Sequence, residues 1–243
     1  VKQKNIFRQV FPAALVILSA AIFTSAQDQT SVKQNTRPAR GPVAASVVQA
    51  APAEPVKYTY EFTQPRFYVK HIIVEHDGNG RGKITFERLN EDVPVVDPIE
   101  LSPAALSRIT SYWSALQFLD SNTNYQSDRQ YEHLGTMRIG MEKGERKRVA
   151  EFNWTHNETA AALVSEYRRV ADQAMLVFDI GLARENQPLN APKLMEVIES
   201  LLGRSGLSDP NQLLPVLKEL STDEHVPLMA RNHALRLIKK IQK

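Results

Sequence analysis

The sequence predicts an α+β protein: an antiparallel sheet of two hairpins packed with two helices, followed by a small all-helical region. Three observations carry this. Two stretches alternate apolar and polar residues around glycine-containing turns. Each is followed by a segment of helical period with its own N-terminal capping signature. Beyond about residue 188 only the helical period remains. An order of strands, helix, strands, helix favours an antiparallel sheet covered by helices over a parallel, doubly wound one.

The first hairpin begins with FYVKHIIVEH, residues 67–76, rich in β-branched and aromatic residues and so read as a strand. Its return is KITFER, with Ile84 and Phe86 on one face and Lys83, Thr85 and Glu87 on the other. Gly78, Gly80 and Gly82 lie between and are expected to allow positive φ in the connection. Val93 to Val96 could add a third short strand, restricted by Pro94 and Pro98 to an edge or a loop.

Ser102 followed by Pro103 opens the first helix, with Leu106, Ile109, Trp113 and Leu116 at helical spacing and an end near Asp120. The polar stretch SNTNYQSDRQYEH reads as a long loop. In the second hairpin Met137, Ile139 and Met141 alternate with Arg138 and Gly140. After Lys143-Gly144, Ala150, Phe152 and Trp154 share one face of the return strand. Thr155 and Glu158 match a capping box before a long helix with an inward stripe of Ala160, Leu163, Tyr167, Val170, Ala174 and Val177, ending near Arg184.

Three helices complete the chain. Pro192 opens one that ends at Gly203. Asp209-Pro210 opens a second, with Leu213, Leu214, Leu217 and Leu220 inward. A third spans about 226–241 and carries Met229, Leu235 and Ile238.

The N-terminal stretch has the pattern of an export signal. Lys2, Lys4 and Arg8 precede the apolar run VFPAALVILSAAIF, and Thr24-Ser25-Ala26 supplies small residues for cleavage after Ala26. The alternative is an uncleaved inner-membrane anchor over residues 10–26, although a spanning helix needs about 20 apolar residues. Residues 27–56, dominated by Ala, Pro, Gln, Ser and Val, read as a flexible linker. The expected division is 1–26 signal peptide, 27–56 linker, 57–187 α+β domain and 188–243 helical region. The expected destination is the periplasm or the extracellular space, with membrane attachment only if the signal stays uncleaved.

Charge and composition exclude several function classes. The formal charge is +3, and the first 26 residues hold three basic side chains and no acidic one. Without them 27 basic residues balance 27 acidic ones, so nucleic acid is not expected as a partner. The chain has no cysteine, which removes disulfides, cysteine-ligated metals and thiol nucleophiles.

The stretch DGNGRGKITFER invites comparison with a calcium loop. Asp77, Asn79 and Thr85 occupy ligand positions 1, 3 and 9, and Gly82 the turn position. Arg81 and Arg88, however, stand at positions 5 and 12, where oxygen ligands are needed, and strand-like sequence flanks the loop. A hairpin is therefore the expected structure, with a weak calcium module as an alternative function. The same glycines lack the following helix of a dinucleotide loop. None of the six histidines forms a zinc spacing, and His71 and His76 fall on opposite faces of their strand. No catalytic residue, cofactor or firm metal site is expected. Asn153-Trp154-Thr155 and Asn157-Glu158-Thr159 fit a glycosylation sequon, which matters only in a eukaryotic secretory pathway.

Two regions remain as candidate partner contacts. Tyr125 and Tyr131 sit on the 121–133 loop, and loops often carry binding. Arg231, Arg236, Lys239 and Lys240 crowd the last helix, where they also complement the helix dipole. The segment LLPVLKELSTDEHVPLMARNHALRLIKKI resembles a single HEAT-type helical hairpin, which implies a protein-contact surface. The glycine-rich hairpin, the Ser-Pro-capped helix ending in QFLD and the second hairpin resemble exported bacterial α+β domains of an uncharacterised family; this implies a fold and no activity. The expected function is that of an exported non-enzymatic protein that binds a protein partner in the cell envelope. The alternative is an enzyme whose site assembles only in three dimensions.

Overall fold

The computed structural model describes residues 54–243; the expected signal peptide and all but the last three residues of the expected linker lie outside them. The elements are β1 (Val56–Thr63), β2 (Val69–Asp77), β3 (Arg81–Arg88), β4 (Val95–Glu100), α1 (Pro103–Ala115), β5 (Thr136–Lys143), β6 (Arg146–Phe152), α2 (Glu158–Asn186), α3 (Ala191–Gly203), α4 (Leu214–Thr222) and α5 (Leu228–Ile241). The six strands form one antiparallel sheet in the order β4-β3-β2-β1-β5-β6, with the helices mostly C-terminal, so the fold is α+β.

The central strand β1 is not among the strands expected from the sequence. It pairs with β2 on one side and β5 on the other, and so fuses the two hairpins into a single sheet. Tyr60 stands opposite both Val74 and Ile139. Its sequence alternates cleanly, with Tyr58, Tyr60 and Phe62 buried and Lys57, Thr59 and Glu61 on the other face. The buried face of the sheet packs against Ile109 and Trp113 of α1 and Leu163, Tyr167 and Val170 of α2. The opposite face is charged. Glu75 bridges Lys57 at 2.5 Å and Lys83 at 3.1 Å, and His71 lies between Glu61 and Glu87 at 3.0 and 3.2 Å. Such partly exposed pairs contribute at most about 1 kcal/mol each, so this face adds little to stability beside the buried one.

The β2–β3 connection is a hairpin. Asp77 Oδ1 accepts the backbone N–H groups of Asn79 and Arg81 at 2.8 and 2.9 Å. Of the three glycines only Gly80 has a positive φ, at 81°. Gly82 is required for a different reason: a Cβ there would lie 1.8 Å from the carbonyl oxygen of Glu75 on the paired strand. At the sheet edge β4 carries Pro98 opposite Lys83, a position where a missing N–H costs no ladder bond on the solvent side.

Ser102 caps α1, its Oγ accepting from Ala105 N at 3.2 Å. The helix ends at Ala115 rather than near Asp120, because Gln117 turns left-handed at φ 44°. The cap of α2 is Asn157, whose Oδ1 accepts from Ala160 N at 2.9 Å. Thr155, expected in that role, instead accepts the N–H of Asn157 at 3.1 Å. Trp154 lies beyond the end of β6, out of the strand alternation, and is 43% exposed rather than in the core.

A second apolar cluster joins the C-terminal half of α2, through Leu176 and Ile180, to Met195, Ile198, Leu217 and Leu237 of α3, α4 and α5. On α5 the inward residues are Ala230, Ala234, Leu237 and Ile238, whereas Met229 and Leu235 face solvent. Polar contacts tie this region to the sheet side. Arg108 of α1 reaches Glu166 of α2 at 2.8 Å and the Ser208 carbonyl at 2.7 Å, and Gln212 donates to the Glu100 carbonyl at 2.8 Å. Among the described residues no helix is long and apolar enough to cross a membrane.

Candidate functional site

A concavity of about 880 Å³ opens where the apolar sheet face runs past the first half of α2. Its floor is Tyr60, Phe62, Ile72, Met137 and Phe152. One wall is a single stripe on α2, Ala161, Val164, Ser165, Arg168, Asp172 and Met175, beside the stripe that enters the core. The other wall is the β1–β2 connection. It is held by Gln64, whose N–H donates to the Lys70 carbonyl at 2.8 Å and whose side chain donates to the Glu132 carbonyl at 2.9 Å. This brings Phe67 and Tyr68 to the mouth, 46% and 60% exposed.

Trp154 completes the mouth, and the 121–133 loop fixes it there. Ser127 N donates to the Trp154 carbonyl at 2.9 Å, Asn153 Oδ1 accepts from Gln126 Nε2 and Tyr131 N at 3.1 and 3.2 Å, and the Tyr131 ring meets the indole edge-on at 5.5 Å. The loop is therefore a brace. Tyr125, expected at the surface, is only 3% exposed. It stacks on Phe118 beneath the Arg148 guanidinium, and Arg148 holds the loop down through the carbonyls of Phe118 and Thr123 at 2.7 and 2.6 Å. Tyr131 is half-buried against Trp154.

The cleft has one polar corner. The Tyr60 ring lies flat on Tyr167, centroids 5.2 Å apart, and its hydroxyl is buried without a hydrogen-bond partner among the described residues. Burial raises its pKa; the neighbouring Arg168 guanidinium opposes that shift without forming a well-aligned bond. Arg168 lies 5.2 Å over the Phe62 ring and 3.5 Å from the Met137 sulfur. Asp172 follows one turn along α2. Its side chain is reachable from solvent, yet the concave wall still raises its pKa through burial, against the pull of Arg204 and Arg168. Arg66 stands at the opposite rim. Among the described residues the lining includes no histidine, lysine or glutamate, and Asp172 is the only carboxylate there. This chemistry suits the enclosure of an apolar group with one polar end.

The calcium residues do not converge. Asp77 uses its carboxylate to close the hairpin, while Thr85 lies within β3 opposite Ile73, four residues along β2 from Asp77. Among the described residues no cluster of three or more His, Asp or Glu could hold a metal ion. His76 is buried in the core, and His71 lies on the charged face. On α5, Arg236, Lys239 and Lys240 are exposed and Lys240 lies 3.9 Å from Glu199, whereas Arg231 is half-buried. A second concavity, of about 670 Å³, lies near the start of β1. Its charged groups are already engaged, through Lys57–Glu75, Lys83–Glu75 and Lys147–Glu142.

Sequence reasoning did not find Tyr60, Arg168, Asp172, Phe67 or Tyr68. The available signal was the second stripe on α2, which reads in isolation as a solvated helix face. No protein-family model matches the chain, and no curated protein is similar to it in sequence.

Proposed function

We propose that this chain is an exported, non-catalytic binding protein of the cell envelope, and that it holds an apolar group in the cleft between the sheet and α2. The observation that carries this reading is a cleft floored by the sheet's own core face with three exposed aromatic residues, Phe67, Tyr68 and Trp154, at its mouth. Its volume lies in the range of about 300–1,000 Å³ typical of small-molecule sites. Apolar surface of this kind is retained where it is used for binding. Export rests on the pattern of residues 1–26.

The test is binding of the neutral fluorophore N-phenyl-1-naphthylamine. Ala161 lies exposed on the α2 wall, so Ala161→Trp fills the cleft without entering the core. The variant is expected to weaken the probe by about tenfold or more while its circular dichroism stays unchanged. Equal affinity in both proteins would reject the cleft.

A protein-contact role for the last helix is favoured by a separate observation: Leu228, Met229 and Leu235 are exposed on α5, whose last turn carries Lys239 and Lys240. Crosslinking from an envelope fraction, with Met229→Glu/Leu235→Glu as the comparison, tests it. A partner captured by both proteins alike would contradict it.

A further inference from the structure

Resting on the cleft reading above, we propose that the ligand is an anionic amphiphile, an acyl chain with a single carboxylate or phosphate head, whose head is received by the Arg168 guanidinium and the Tyr60 hydroxyl. Tyr60 is fully buried and its hydroxyl has no partner among the described residues, although it borders the cleft. A buried hydroxyl in that state is destabilising unless an acceptor or donor is supplied to it. Arg168 stands beside it, and the contacts it makes are with an aromatic face and a thioether sulfur. A guanidinium so placed keeps its donors for a carboxylate or phosphate. The ionised groups of the lining are Arg66 and Arg168 against Asp172, so an anion is favoured over a cation. Asp172 is the one group that opposes an anionic head. The concave wall raises its pKa, so that opposition weakens as the solution becomes more acid.

The rest of the ligand is set by the backbone. The strands that make most of the floor, β1, β2 and β5, are interior to the sheet and paired on both sides. Their N–H and C=O groups are committed to the ladder, so an extended peptide would find no backbone partners there. An acyl chain has none to satisfy. It fits a floor of Phe62, Ile72, Met137 and Phe152 closed at the mouth by Trp154.

The experiment is calorimetric titration of the whole chain with laurate, dodecyl phosphate, dodecanol and lauroyl lysophosphatidylglycerol, in the unmodified protein and in Arg168→Gln, Arg168→Lys and Tyr60→Phe. The unmodified protein is expected to bind laurate or dodecyl phosphate at least about tenfold more tightly than dodecanol. Arg168→Gln brings that ratio towards one, Arg168→Lys restores part of it, and Tyr60→Phe lowers it several-fold. Tighter binding of the lysolipid than of the free acid identifies a membrane lipid as the source of the head group; the reverse identifies a free acid. Equal affinity for laurate and dodecanol, or a ratio unchanged in Arg168→Gln, overturns the anionic assignment and leaves the cleft in place. Failure of every ligand, dodecanol included, overturns both. Arg168 is exposed, so its variants are expected to fold even if Tyr60→Phe does not.

Discussion

The hydroxyl of Tyr167 lies 2.9 Å from Nε2 of His76 and also takes the indole N–H of Trp113 at 3.1 Å. One buried oxygen therefore joins α2, β2 and α1. The indole can only donate, so the hydroxyl accepts from Trp113; the Asp77 carbonyl beside Nδ1 can only accept, so the neutral imidazole leaves Nε2 to accept from the hydroxyl. The imidazole must then carry its proton on Nδ1, which donates to the Asp77 carbonyl at 2.7 Å.

Removing that oxygen is expected to be expensive. Tyr167→Phe keeps the ring stacked on Tyr60 but strands the Trp113 N–H and the His76 Nε2. Each unpaired buried group costs about 1–3 kcal/mol. Urea unfolding measures the loss, and Tyr167→Phe combined with Trp113→Phe should cost less than the sum of the two.

The same chain of hydrogen bonds makes stability sensitive to mild acid. Burial holds the His76 pKa below its ordinary 6.5, and the bond to the Asp77 carbonyl and the Asp77 charge offset this only in part. As pH falls through that value the unfolded chain takes up a proton that the folded protein refuses. The His76 contribution is therefore level above about pH 6.5 and becomes destabilising below it. The urea midpoint is expected to fall between about pH 7 and about pH 5, and His76→Asn should lose most of that slope.

Glu166 is fully buried and held by Arg108 at 2.8 Å, by Ser208 at 2.6 Å and by Arg169. Burial alone would raise its pKa; Arg108, Ser208 and Arg169 together outweigh burial and keep it low. Arg108→Ala removes the contact that also secures the α3–α4 connection, at an expected cost of about 2–3 kcal/mol after allowance for the partial exposure of Arg108. A lowered folded pKa gives stability above the unfolded value that disappears as pH falls through the folded one. The difference between the two proteins should therefore be largest near neutrality and shrink below about pH 4.5.

Two glycines are expected to respond oppositely to alanine. Gly82→Ala drives a Cβ into the Glu75 backbone and should disrupt the β2–β3 hairpin. Gly181 lies within α2, where an added methyl group would meet nothing within 4 Å beyond its own stretch of helix, so Gly181→Ala should stabilise by about 0.5–1 kcal/mol. Thermal unfolding of the two variants separates these effects.

Much of the local physics was legible in the sequence. The alternation of Ile84 and Phe86 and the Ser102 cap follow from neighbours in the chain, whereas the segment that Pro94 and Pro98 restricted to an edge or a loop forms its edge strand over Val95–Glu100 and not Val93–Val96. What depended on distant partners was not legible. The strand β1 alternates as clearly as any other, but it follows a Pro- and Ala-rich stretch, and its central place comes from pairing with β5, more than seventy residues on. At the start of α2 two good capping residues compete within three positions, and backbone geometry chose Asn157 over Thr155. The cleft was the least legible feature. Arg168 and Asp172 read as a solvated helix face until the 64–68 connection and Trp154 are seen to close around them.

The cleft reading is tested most directly at Trp154. Trp113 is buried while Trp154 is 43% exposed, so acrylamide quenching of the native protein reports chiefly on the mouth. Saturation with laurate is expected to shield Trp154 and lower its quenching constant, and Trp154→Phe should abolish the change. Calorimetric binding of laurate with undiminished quenching of Trp154 would put the ligand elsewhere and contradict the account.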